Sequence, residues 1–211
     1  MTSGGFTTGH SRTGYPEVVG RPREFDTDEA VDAAMDLFWR QGYASTSIQD
    51  LVDHLHVGRG SIYDTFESKH GLWVRALTKY CDEGTRAMVD VLDQRGPLIP
   101  RLRSALVALV DQDLGDSARR GCMLVNAAME TIPRDTVVES LAVENFRHIE
   151  RALERAIRRA QSDQEIPASV DPADAAAFLL TVIEGLRVVA KATGDRKRLV
   201  RTVDVALTSL A

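Results

Sequence analysis

The stretch from Thr46 to Lys69, TSIQDLVDHLHVGRGSIYDTFESK, is the feature that most constrains how this chain can fold. Thr46 followed three residues later by Gln49 reads as a capping box, in which an N-terminal hydroxyl and a side chain one turn on satisfy free N–H groups. Ile48, Leu51, Val52 and Leu55 then recur at i, i+3, i+4 and i+7, one apolar face of a helix. His56, Val57 and Gly58 interrupt that face. A second short helix follows, carrying Arg59, Gly60, Ser61, Ile62, Tyr63 and Phe66. Two short helices about a tight turn are the unit that lays a recognition helix in the major groove of DNA.

Residues 21–80 resemble the DNA-binding domain of the TetR family of bacterial transcriptional regulators. The resemblance is carried by an ordered set: Gly20-Arg21-Pro22-Arg23, then Ala34, Leu37, Phe38, Gly42, Tyr43, Thr46 and Ser47, then Val57, Arg59, Gly60, Ser61, Ile62, Tyr63, Phe66, Ser68 and Lys69. It implies an all-α chain divided into a flexible tail (residues 1–20), a helix-turn-helix domain (residues 21–68) and a helical ligand-binding and dimerisation domain (residues 69–211). It also implies DNA contacts from Arg21 and Arg23 in a minor-groove arm, from Arg59, Gly60, Ser61, Tyr63 and Thr65 on the recognition helix, and from Thr46 and Lys69 at helix starts. Each has a plainer reading. Thr46 can serve only as a cap, Tyr63 as a half-buried core residue, and the arginines as a solvated tail. The chain departs from the family at His56, where glycine is common, and at Gly58, where a serine or threonine cap is usual. Asp64 and Thr65 replace aromatic or basic residues. Asp64 repels phosphate but can accept from a cytosine amine.

Charge bears on the DNA reading. The net charge is −5, and residues 1–80 hold 8 Lys or Arg against 11 Asp or Glu. Positive charge must therefore be focused: Arg21, Arg23, Arg59 and Lys69 fall where a helix-turn-helix meets phosphate, while Asp28, Glu29, Asp32 and Asp36 fall on a helix free to face away. The first 20 residues are rich in Gly, Ser and Thr and lack the apolar core of a signal peptide. No apolar run approaches the roughly 18 residues of a membrane span. The two cysteines, Cys81 and Cys122, fit a reduced cytoplasm and have no metal-ligand spacing. A cytoplasmic protein with no membrane partner, metal or cofactor is expected.

Helical periodicity continues to the C-terminus. The pattern predicts helices over 27–41, 47–55, 59–65, 68–92, 101–113, 122–130, 136–161, 171–192 and 196–210, with no strand-like alternation. The last two carry more apolar surface than one stripe needs: Phe178, Leu179, Val182, Ile183, Leu186, Val189 and Ala190, then Val200, Val203, Leu207 and Leu210. A four-helix homodimer interface is expected there.

The middle helices hold the candidate ligand walls: Leu102, Leu106, Met123, Asn126, Phe146, Ile149, Phe178 and Val182. Mostly apolar side chains with few polar ones suit a small hydrophobic ligand; taken singly, each is ordinary core. Asn126, Glu130, His148 and Glu184 are polar residues beside apolar stripes. Cys122, in Gly-Cys-Met-Leu-Val-Asn, has no Lys or His beside it in sequence to lower its pKa.

These features favour a homodimeric repressor that binds a double-stranded DNA operator and is released by a small hydrophobic ligand, with helix 4 as the connection between domains. The alternative is a DNA-binding regulator without such a ligand, sensing redox state through Cys122 or acting as a constitutive activator. An enzyme is disfavoured: the chain has no Gly-rich phosphate loop, nucleophile elbow or metal set.

Overall fold

The computed structural model describes Met1 and residues 26–211. Arg21, Arg23 and the tail assigned to residues 1–20 lie outside the described residues, Met1 excepted. Among the described residues there are nine α-helices, a terminal 3-10 turn and no strand.

α1 (Thr27–Gln41) starts at Asp26, whose carboxylate accepts from the Asp28 and Glu29 N–H groups, and stops at Gly42, which takes φ +83°. α2 (Ile48–Leu55) corrects the expected cap. Ser47, not Thr46, is the N-cap, and its box partner is Asp50 rather than Gln49. Thr46 is buried, and its hydroxyl donates to the Gly42 carbonyl at 2.7 Å. α3 (Arg59–Phe66) follows a turn in which His56 adopts the left-handed conformation, φ 54°. α4 (Lys69–Asp93) is capped by Ser68. Gly71 is required there, because a Cβ would lie 2.1 Å from the Phe66 carbonyl oxygen.

α5 (Leu98–Gly115) begins a turn earlier than its periodicity suggests. Its free N–H groups at Leu98 and Ile99 are met by the two carboxylate oxygens of Glu165, at 2.6 and 2.7 Å. That cap comes from 66 or more positions away, so no local motif announces it. α6 (Met123–Thr131), α7 (Thr136–Ser162), α8 (Pro172–Thr193) and α9 (Arg196–Leu207) complete the chain, with Thr208–Leu210 as the 3-10 turn. Asp171 caps α8 ahead of its first-turn proline, and Gly194 closes it in the left-handed region.

The buried side chains form two clusters. One comprises the apolar faces of α1–α4 with Cys122, Met123, Leu124 and Ala127 around α6 and Val138 and Ala142 of α7. The other joins the end of α4 with α5, the later part of α7, α8 and α9. α6 is therefore packed into the helix-turn-helix side of the molecule. Helix 4 is not the sole connection between the two halves.

Candidate nucleic-acid interface

α3 is amphipathic within eight residues. Ile62 and Phe66, four apart, are buried against the first cluster, which fixes the helix's rotation. The opposite side then presents Arg59, Gly60, Tyr63 and Asp64 to solvent, with Ser61 and Thr65 half-buried at the edges. Gly58 supplies no side-chain cap, so the first N–H groups of α3 remain free beside Arg59. A guanidinium, a phenol and free helix N–H groups on one exposed row suit phosphate and base-edge contact. Asp64 lies four residues after Gly60 on that row and restricts where phosphates can approach.

Aromatic packing holds the row in place. Trp73 of α4 meets Phe38 edge-on with centroids 5.1 Å apart and Tyr43 at 5.6 Å. Lys69 is tied in here. Its Nζ donates to the carbonyls of Tyr43 and Thr46, both at 2.8 Å, and lies 4.2 Å from the Tyr43 ring centroid. Burial pulls the Lys69 pKa down, opposed by the Glu130 carboxylate. Lys69 is thus a clamp between the start of α4 and the α1–α2 turn, with one N–H left over. Thr46, expected at a phosphate, has no exposed surface; burying its hydroxyl is what closes the α1 end onto α2.

Several residues with no local signal tie α1–α4 to later parts of the chain. The Glu130 carboxylate of α6 accepts from the Tyr43 and Ala44 N–H groups at 3.0 and 2.6 Å, capping the α1–α2 turn from outside. Trp39 donates its indole N–H to the Gly121 carbonyl at 2.9 Å. Arg120 lies 4.2 Å over the Trp39 ring and pairs with Asp36 at 2.9 Å. His70 pairs at 2.8 Å with Asp135, the N-cap of α7. Deeper in, Arg187 of α8 holds Asp113 through two bonds of 3.1 and 3.2 Å and donates to the Tyr80 hydroxyl at 2.8 Å. Sequence separations of 65 to 107 positions hide most of these pairs from any motif.

The eight expected ligand walls are divided between the two clusters and the surface. Leu102 and Leu106 are buried in the second cluster, with Ile149 and Val182 packed against it. Met123 belongs to the first cluster, and Phe146 touches both. Phe178 is 46% exposed on the outside of α8, so it walls no closed space. Met123 and Asn126 instead line an open cleft of about 350 Å³ between α1, α4, α6 and the end of α8. Burial pushes the Cys122 thiol up to about 11 and Cys81 up to about 12, so both are held as protonated thiols. Among the described residues no group of three or more His, Cys, Asp or Glu is arranged to hold a metal. No helix there is long and apolar enough to cross a membrane.

A recognition helix with one face buried against α2 and α4, followed by a larger helical unit, defines a helix-turn-helix regulator. Residues 30–76 match the bacterial regulatory proteins of the tetR family, and residues 99–206 match the tetracyclin repressor-like C-terminal domain. The uncharacterised HTH-type transcriptional regulator YezE of Bacillus subtilis is 30% identical over 193 residues, covering 91% of this chain and 100% of that protein. The HTH-type transcriptional repressor ComR of Escherichia coli is 26% identical over 189 residues, 89% of this chain and 90% of that one. Among solved structures, a cysteine mutant of the TetR-family regulator CifR, complexed with 26-bp operator DNA, superposes with a TM-score of 0.81 at 33% identity, covering 91% of this chain and 100% of that chain. The chain belongs to the TetR family of DNA-binding transcriptional regulators.

Proposed function

We propose that this protein is a homodimeric transcriptional repressor whose hold on a DNA operator is relieved by a small, mainly hydrophobic ligand. The observation that carries the reading is the exposed row Arg59, Gly60 and Tyr63 on α3, rigidly backed by buried Ile62 and Phe66. CifR, the relative captured on operator DNA, and ComR, named a repressor, support the same assignment here. Dimerisation is supported by apolar side chains left exposed on the last two helices: Phe178 and Val188 on α8 and Val205 on α9. Gly185, on the same side of α8, has open space where a Cβ would stand and allows close helix approach. Relief is a population shift: the ligand favours an arrangement whose two recognition helices no longer span paired half-sites. A regulator without a ligand is favoured by one observation, the close packing of Leu102 and Leu106.

The test is operator binding by Arg59→Ala. The expected result is a loss of about 1–3 kcal/mol in specific binding, with a smaller loss on unrelated DNA. Lys69→Ala is expected to lower thermal stability as well as affinity, because two backbone carbonyls lose their donor. Unchanged operator affinity in Arg59→Ala removes α3 from the interface. Operator affinity indifferent to a broad hydrophobic panel selects the ligand-free reading.

A further inference from the structure

The cleft between α1, α4, α6 and α8 has the donor set of a site for a small apolar carboxylate. Its floor is Trp73, Met123 and Ala127, all nearly inaccessible. The Trp73 indole N–H is buried with no acceptor among the described residues, an unmet cost for a polar group in an apolar setting. At the rim stands Lys191. Its ammonium has no carboxylate partner among the described residues, and its one hydrogen bond there goes to Asn126 Oδ1 at 3.3 Å.

The other charges facing this space are already matched. Both Glu130 oxygens accept backbone N–H groups, and the Arg40 guanidinium pairs with Asp36. What remains is an apolar floor and one spare cation at the mouth. The volume, about 350 Å³, lies at the small end of ligand sites.

We propose that this cleft binds a small aromatic or short-chain monocarboxylate, its apolar body on Trp73 and Met123 and its carboxylate on Lys191. The proposal rests on the ligand-relief reading above and moves the ligand from the bundle core to the junction. Occupancy would act where it matters for DNA. Gly42 and Glu130 both line the cleft, and the Glu130 bonds fix the α1–α2 turn that positions α3. A ligand preferring one α1–α6 spacing shifts that turn and lowers operator affinity.

The chain has two tryptophans, Trp39 and Trp73, and both line the cleft. Intrinsic fluorescence therefore reads it directly. The full chain is titrated with benzoate, phenylacetate and octanoate, each against its neutral amide. A saturable fluorescence change is expected with at least one acid, weaker by about tenfold with the amide. Lys191→Met should lose a similar factor and Lys191→Arg should recover it. Lys191 is exposed, so these variants keep the fold. No saturable change at millimolar concentration with any of the three acids overturns the site, as does equal binding by Lys191→Met. Carboxylate binding that leaves operator affinity unaltered keeps the site and overturns its role in ligand relief. Operator release by a hydrophobic compound that acts equally on wild type and Lys191→Met keeps ligand relief and overturns the site.

Discussion

The two buried clusters are made of different materials. The cluster on the DNA side buries Phe38, Phe66 and Trp73, with Trp39, Tyr43 and Tyr80 packed at its edge. The distal cluster buries only Leu, Ile, Val and Ala side chains. Each material suits its task. α2 and α3 have eight residues each, too short to be stable alone, and a few large rings give them rigid, geometrically specific anchorage. The helices of the distal cluster pack aliphatic ridges into one another along α5, α8, α9 and the later part of α7. The DNA-side unit is anchored by rings and the distal bundle by aliphatic packing, and α6 is the piece of the later sequence built into the former.

The largest effect is expected where the distal half leaves apolar surface uncovered. Phe178→Glu combined with Val205→Glu should give monomers by sedimentation and weaken operator binding by about 10²–10⁴-fold, since one half-site loses the other's effective concentration. Both positions are exposed, so the subunit should keep its helicity. Leu186, an obvious choice from the sequence pattern, does not ask this question: it is only 3% exposed and lies inside the distal core, where a charge would unfold the subunit. A double variant that still sediments as a dimer would move the interface off the last two helices.

The comparison itself is tested by paired core truncations. Leu124→Ala on α6 and Leu179→Ala on α8 should each cost about 2–5 kcal/mol of stability. Hydrogen exchange should separate them. Leu124→Ala is expected to loosen amides of α1–α3 first, and Leu179→Ala those of α5 and α9. If Leu124→Ala leaves α1–α3 as protected as before, α6 is not part of the DNA-side unit.

How much of this was legible in the sequence follows from the range of the forces involved. α1 and the start of α8 fall where the pattern puts them because Asp26, Gly42, Asp171 and Pro172 act within a turn of the ends they define. The recognition-helix residues were named by the family resemblance; the buried pair Ile62 and Phe66 decides which of them face solvent. Thr46 was misread because Thr46 and Ser47 are adjacent and both can cap; only the buried fit against Gly42 distinguishes them. The scatter of the expected ligand walls over both clusters has a related cause. Apolar periodicity marks a helix face, but whether a residue on it is packed, as Leu102 is, or left exposed, as Phe178 is, depends on helix rotation in the assembled bundle. The Glu130 and Glu165 caps are tertiary and have no local signature.

The smallest expected effect concerns the seam between the two clusters. Glu184 of α8 lies beside the Cys122 thiol at the start of α6, and its Oε2 is buried without a hydrogen-bond partner among the described residues. Burial raises the Glu184 pKa above its ordinary 4.5; the Cys122 thiol and the Arg187 charge oppose that, and Asp113 adds to it. In the pH interval between the unfolded and folded values the native state holds a proton that the unfolded chain has lost. Stability therefore falls as pH rises from about 4.5 through the folded value. Glu184→Gln carries no such proton. Its urea midpoint relative to wild type should shift in the variant's favour between pH 4 and pH 7. Parallel pH profiles for the two proteins would mean that Arg187 compensates the carboxylate fully, and the seam would then be an ion-paired joint between the halves rather than a polar group under strain.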